Sequence, residues 1–176
     1  MRSLIRRAGL AVAVSVLVFA SGCTVRPLLA TGPASQNPAA LDSVAIAPVN
    51  TRPAQEVRNH LIFLFGGGSG QPENPDYILN LAVTSRASSA AEIQRAGENE
   101  PTAGMVTLTG DYRLEDTETG DVVASGKRQI SSAFDRPRQE FARLRAERDA
   151  ENRAARELAE LLRLTVAQDI TRLDAR

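Results

Sequence analysis

A hydrophobic segment ending on the chain's single cysteine constrains this sequence more than any other feature. Ala8 to Ala20 (AGLAVAVSVLVFA) is an unbroken run of thirteen apolar or small residues, preceded by Arg2, Arg6 and Arg7 and followed by Ser21, Gly22 and Cys23. A basic leader, a short apolar core and small residues before a cut are the parts of an export signal. The run falls short of the ~20 residues that span a hydrocarbon layer, so a removed signal over residues 1–22 is expected rather than a retained membrane helix. That leaves 154 of the 176 residues for folding, enough for one domain with a real core.

The segment Ala20-Ser21-Gly22-Cys23 resembles a bacterial lipobox. The resemblance implies that the thiol of Cys23 is alkylated with diacylglycerol, that cleavage follows, and that the new amino terminus is acylated as well. Plain secretion with an incidental cysteine is the alternative. Two or more acyl chains, at about 0.8 kcal/mol per buried methylene, hold a protein on a bilayer where one chain would be marginal. Thr24 follows the cysteine, where lipoproteins retained in the inner membrane usually carry Asp, so the resemblance points to the periplasmic side of the outer membrane. With Cys23 acylated no disulfide forms within the chain, and stability must come from packing of Ala, Val, Leu and Ile, since only 4% of residues are aromatic.

Charge excludes one broad class. The precursor is balanced, and loss of the signal arginines leaves 18 basic against 21 acidic residues, a net of −3. Nucleic-acid binders are usually basic, and no nucleic-acid partner is expected.

Along the chain, residues 23–40 contain Pro27, Gly32, Pro33 and Pro38 with no apolar period, and are expected to form a lipidated tether. Residues 41–176 are expected to form one α+β domain. Leu41–Val49 alternates as a first strand closed by Pro48. Asn50 or Thr51 can cap a helix with Pro53 in its first turn, and Ala54, Val57, Leu61, Leu64 and Phe65 recur at helical spacing until Gly66-Gly67-Gly68-Ser69-Gly70 stops it. Asp76–Ser85 alternates strictly as a second strand. Arg86–Pro101 reads as a long hairpin connection or a frayed strand extension. Ala103–Glu115 and Asp121–Phe134 form a hairpin around the polar turn Asp116–Gly120, with a bulge expected near Ser125-Gly126. Beyond Pro137 runs a long helix. Ala155, Leu158, Leu162, Val166, Ile170 and Leu173 make an apolar stripe, continued more weakly and off line by Ala142, Ala146, Ala150 and Ala154. Firm packing is expected of the second half, while the Arg- and Glu-rich first half is expected to be more exposed or to curve around the sheet. The order β-α-β-β-β-α, with the first two strands parallel, implies a two-layer sandwich: two helices on one face of a four-stranded mixed sheet.

Few residues offer chemistry. His60 is the only histidine and lies on a helix beside Arg58 and Asn59, which suits a surface or boundary position better than a triad or metal site. No catalytic residue, metal site or cofactor is expected. The glycine-rich stretch follows a helix and leads into Pro72, without the Lys and Ser/Thr of a phosphate loop, and reads as a connector. Glu115, Asp116, Glu118 and Asp121 read as a solvated hairpin tip. On the last helix, Arg143 with Glu147, Arg145 with Asp149, Arg153 with Glu157 and Arg156 with Glu160 are spaced for ion pairs. On the strands, Arg113, Lys127 and Arg128 lack such local partners and are candidates for binding phosphate by charge-assisted hydrogen bonds.

Taken in order, Gly22-Cys23, Arg26-Pro27-Leu28, the strand ending VAIAPV with Thr51-Arg52 after it, Arg58-Asn59-His60-Leu61, Tyr77 to Val83, and Glu140-Phe141-Ala142 opening the last helix resemble the LPS-assembly lipoprotein family, LptE, in its alphaproteobacterial form. The resemblance implies the same two helices on a four-stranded sheet and a non-enzymatic role. Such a protein plugs an LptD-type outer-membrane β-barrel, assists its assembly and contacts lipopolysaccharide bound for the cell surface. Lipid A phosphate would then be the ligand of Arg113, Lys127 and Arg128. The alternative is an outer-membrane lipoprotein adaptor of another envelope lipid-transport system.

Overall fold

A computed structural model describes residues 41–91 and 103–175. Cys23 and the proposed signal and tether lie outside the described residues. The elements are β1 (Val44–Ile46), α1 (Arg52–Gly66), β2 (Tyr77–Ala91), β3 (Ala103–Asp116), β4 (Val122–Asp135) and α2 (Glu140–Asp174). The strands form one sheet in sequence order, with β1 parallel to β2 and the remaining pairs antiparallel. Both the expected α+β sandwich and its parallel first pair are present.

Local chemistry sets the first helix. Thr51 is extended and its hydroxyl accepts a hydrogen bond from the Ala54 amide at 3.4 Å, while Pro53 sits in the first turn, where its missing N–H has no partner to lose. The end comes at Gly67, whose φ of 56° is left-handed. Between them Ala54, Val57, Leu61 and Phe65 are buried, and Leu64 is partly so. Arg58 donates from α1 to the carbonyls of Ile46 and Ala47, which holds the helix over the short first strand.

Both helices lie on the face of the sheet that carries Leu79, Val83, Val106, Leu108, Tyr112 and Leu114. Leu158, Leu162, Val166 and Ile170 of α2 close over this face and against α1, all of them buried. Full burial along α2 begins at Ala150; in the ten residues before it Ala146 still packs against the core, while Phe141 and Leu144 stand exposed, as the change of stripe implies.

One open reading is settled and two expectations are corrected. Of the two readings of Arg86–Pro101 the strand extension holds as far as Ala91, because the polar continuation of β2 pairs in register with β3 from Leu108 to Gly104, with an irregularity before Ala91 meets Ala103. The bulge in the β3–β4 hairpin lies where Leu114 pairs with Ala124 and Glu115 with Val122, leaving Val123 as the extra residue, not at Ser125-Gly126. Gly126 serves a close approach instead: a Cβ there would lie 2.8 Å from the Tyr112 ring and hydroxyl. Finally, α2's ion pairs run to the preceding turn. Arg143 binds Glu140, Arg153 binds Asp149, and Arg163 and Arg172 meet Glu160 and Asp169. Helical side chains tilt toward the N-terminus, so each arginine leans over the turn before it.

Candidate functional site on the uncovered sheet face

Because both helices occupy one face, the other is bare among the described residues. Alternation puts Asn80, Ala82 and Thr84 of β2, Thr107, Thr109, Asp111 and Arg113 of β3, and Ser125, Lys127, Gln129 and Ser131 of β4 on it. These are polar and small side chains, and those of β3 and β4 bond to one another across the strands through hydroxyl hydrogen bonds and an ion pair. The Thr107 and Ser131 hydroxyls lie 2.8 Å apart, and the Thr109 hydroxyl donates to Gln129 Oε1 at 3.4 Å. Such ladders replace part of the solvation the face would otherwise need and leave it flat and wet.

A hollow of about 630 Å³ opens on this face, lined by residues that include Asn80, Ala82, Asp111, Arg113, Ser125 and Lys127. Ala82 and Ser125 contribute only small side chains to its lining, beside the long cations Arg113 and Lys127. Arg113 pairs in register with Asn80 on one side and Ser125 on the other, and Asp111 with Lys127. Lys127 Nζ lies 3.4 Å from Asp111 Oδ1, with both side chains more than half exposed, so water screens the pair. Arg113 has no ion-pair partner among the described residues. The hollow therefore offers one unpaired and one weakly paired cation to an anion, beside amide and hydroxyl donors.

Of the three strand cations singled out from sequence, two meet here and one does not. Adjacent strand residues face opposite ways, so Lys127 points into the hollow and Arg128 points under α2. There its Nε donates to the Thr165 hydroxyl at 3.0 Å and its Nη1 to the Lys127 carbonyl at 2.7 Å. Arg128 is thus part of the lock between sheet and helix. That lock also includes Tyr112, whose pKa is pushed upward by burial first, then by its hydrogen bond to Asp169 and that carboxylate's charge. Asn80, Asp111 and Ser125 were not picked out from sequence. Asn80 falls on the polar side of β2's alternation, a legible signal, whereas Asp111 becomes a neighbour of Lys127 only through the register.

His60 lies half-buried on α1, and no group of side chains suited to a metal ion occurs among the described residues. Nor, among these residues, is any helix long and apolar enough to cross a membrane.

No family model matches the chain, and no curated protein matches it in sequence. Several solved structures share its fold. A candidate lipoprotein from Caulobacter crescentus CB15 superposes with a TM-score of 0.62 at 24% identity, over 74% of this chain and 92% of that one. Rare lipoprotein B from Shewanella oneidensis gives 0.55 at 12% identity, over 74% and 96%. A minor lipoprotein from Acinetobacter baumannii gives 0.52 at 12% identity, over 72% and 89%. At these identities the likeness establishes the fold.

Proposed function

We propose that this protein is an outer-membrane lipoprotein of LptE type, anchored by acyl chains on Cys23, that plugs and helps assemble an LptD-type β-barrel and contacts lipopolysaccharide on its way through. The observation that carries this reading is the bare sheet face with its Ser, Thr and Gln ladder and its polar hollow. A barrel lumen is lined by polar side chains and water, so a plug needs a rigid domain whose outward surface hydrogen-bonds instead of packing dry. One face of the sandwich supplies stiffness through its core, and the other supplies a polar wall. The shared fold with three proteins described as lipoproteins supports the same reading, as does the lipobox-like approach to Cys23.

In this reading the role is non-enzymatic. Work is done by occupying space and by offering Arg113 and Lys127 to lipid A phosphates as they pass. The test is recovery of the tagged, acylated protein from outer membranes in mild detergent. A stable complex with a large outer-membrane β-barrel supports the plug, while recovery with an inner-membrane lipid transporter supports an adaptor and overturns it.

A further inference from the structure

In the first turns of α2 only the alanine side meets the core, through Ala146, and the opposite side has no apolar partner among the described residues. Arg52, at the start of α1, donates to Glu151 Oε2 and Asn152 Oδ1, both at 2.8 Å, so α1 covers α2 only from about that turn onward. Arg153 donates to the Ala133 carbonyl and Arg128 to Thr165, so α2 runs antiparallel along β4. Thirteen helical residues before Arg153, set against two strand residues after Ala133, carry α2 about 13 Å past the end of β4.

On this overhang, at about 100° per residue, Phe141, Leu144, Arg145 and Arg148 fall within one sector, opposite Ala142, Ala146 and Ala150, which turn toward the domain. Phe141 is 70% and Leu144 47% exposed. The Arg145 guanidinium carbon lies 5.0 Å from the centre of the Phe141 ring. Residues 136–148 hold five arginines against two acids, and of those acids Glu140 is bound by Arg143 at 2.5 Å.

The opposite end is acidic. Asp174, Asp116 and Asp76 surround Tyr77, and after burial it is their charges that raise its pKa. The Asp76 amide bonds to the Ser43 carbonyl and the Thr117 amide to the Asp76 carbonyl, which brings the chain's entry at Leu41 to this same end. Charge is thus polarised along the molecule, negative where the chain enters and positive at the overhang.

We propose that the overhang Glu140–Arg148 is a docking surface for an anionic phospholipid bilayer. An exposed aromatic and a leucine flanked by arginines on one helical face is the composition of an interfacial helix, and the phosphates of the bilayer supply the complementary charge. The acidic end is repelled by the same surface, which turns the overhang toward it. Cys23 is eighteen residues from Leu41, a reach of about 60 Å when extended, against a helix about 52 Å long, so an anchor at the acidic end leaves room for the domain to lie down. The inference requires the anchor but no barrel, so it stands or falls separately from the plug.

The chain contains no tryptophan, so Phe141→Trp gives a single reporter. The acylated full chain is reconstituted in vesicles of phosphatidylcholine and of phosphatidylcholine mixed with phosphatidylglycerol, and flotation verifies the anchor. The expected result is an emission shift to shorter wavelength and quenching by brominated acyl chains in the anionic vesicles alone. Both should be lost when Arg145→Glu and Arg148→Glu are added. A reporter from Thr119→Trp, at the acidic end, should stay unquenched. The proposal is overturned by equal emission in both vesicles, by quenching at Thr119→Trp instead, or by a shift that grows with protein concentration without vesicles, which would indicate a second copy. Protein that floats with neither vesicle removes the anchor and this inference with it.

Discussion

The Tyr112 hydroxyl donates a 2.5 Å hydrogen bond to Asp169 Oδ2, joining the middle strand pair to the last turns of a helix 57 residues further along the chain. Asp169 also receives Arg172 at 3.3 Å, and Arg128 reaches Thr165 one turn earlier. The sheet therefore keeps its bare face presentable through a polar lock on its other side. Tyr112→Phe removes only the hydroxyl and leaves a part-buried carboxylate short of a donor. A loss of about 1–3 kcal/mol is expected by urea denaturation, and an unchanged midpoint would mean the bond adds nothing.

Both tyrosines of the chain have raised pKa values, Tyr77 through burial and then its three aspartates, Tyr112 through burial and then Asp169. A group whose folded pKa lies above its unfolded one contributes stability fully below the unfolded value, about 10 for tyrosine, and loses it as pH rises. Absorbance of tyrosinate should therefore lag free tyrosine on alkaline titration, with stability falling above pH ~10. A normal phenol titration in folded protein would contradict this.

Gly104 lies directly across from Phe134, whose ring covers it so closely that a Cβ could not be added without displacing the ring. Gly104→Ala should destabilise by about 1–3 kcal/mol, the usual range for overpacking, and a far smaller loss when combined with Phe134→Leu. Additive losses would remove the steric explanation.

Arg113 and Lys127 share the hollow, whereas Arg128 serves the lock. Arg113→Ala with Lys127→Ala should weaken lipopolysaccharide binding with little change in melting temperature. Arg128→Ala should do the reverse, at about 0.5–1.5 kcal/mol of stability. Equal binding losses from both would put the ligand elsewhere.

This split marks where sequence reading stopped. Alternation along β3 and the helical stripe of α1 reveal which faces are apolar, because burial on one side leaves a period that needs no knowledge of neighbours. The same alternation separates Lys127 from Arg128, and grouping them as one phosphate site overlooked it. Other features depend on partners distant in sequence. Ala87 and Ser88 are strand because Val106 and Met105 pair with them, and the polar, small run they belong to leaves connection and strand extension equally open. Gly126 looks like a bulge residue until Tyr112 is placed against it. The direction of the α2 ion pairs was open to local reasoning, since helical side chains lean toward the preceding turn.

A plug would set the uncovered sheet face against a polar barrel wall. A photoreactive residue in place of Ser125, in the hollow, tests it in living cells. The expected result is an adduct whose partner, identified by mass spectrometry, is a large outer-membrane β-barrel. An adduct solely with an inner-membrane or soluble periplasmic protein, or no adduct from correctly anchored protein, would contradict it.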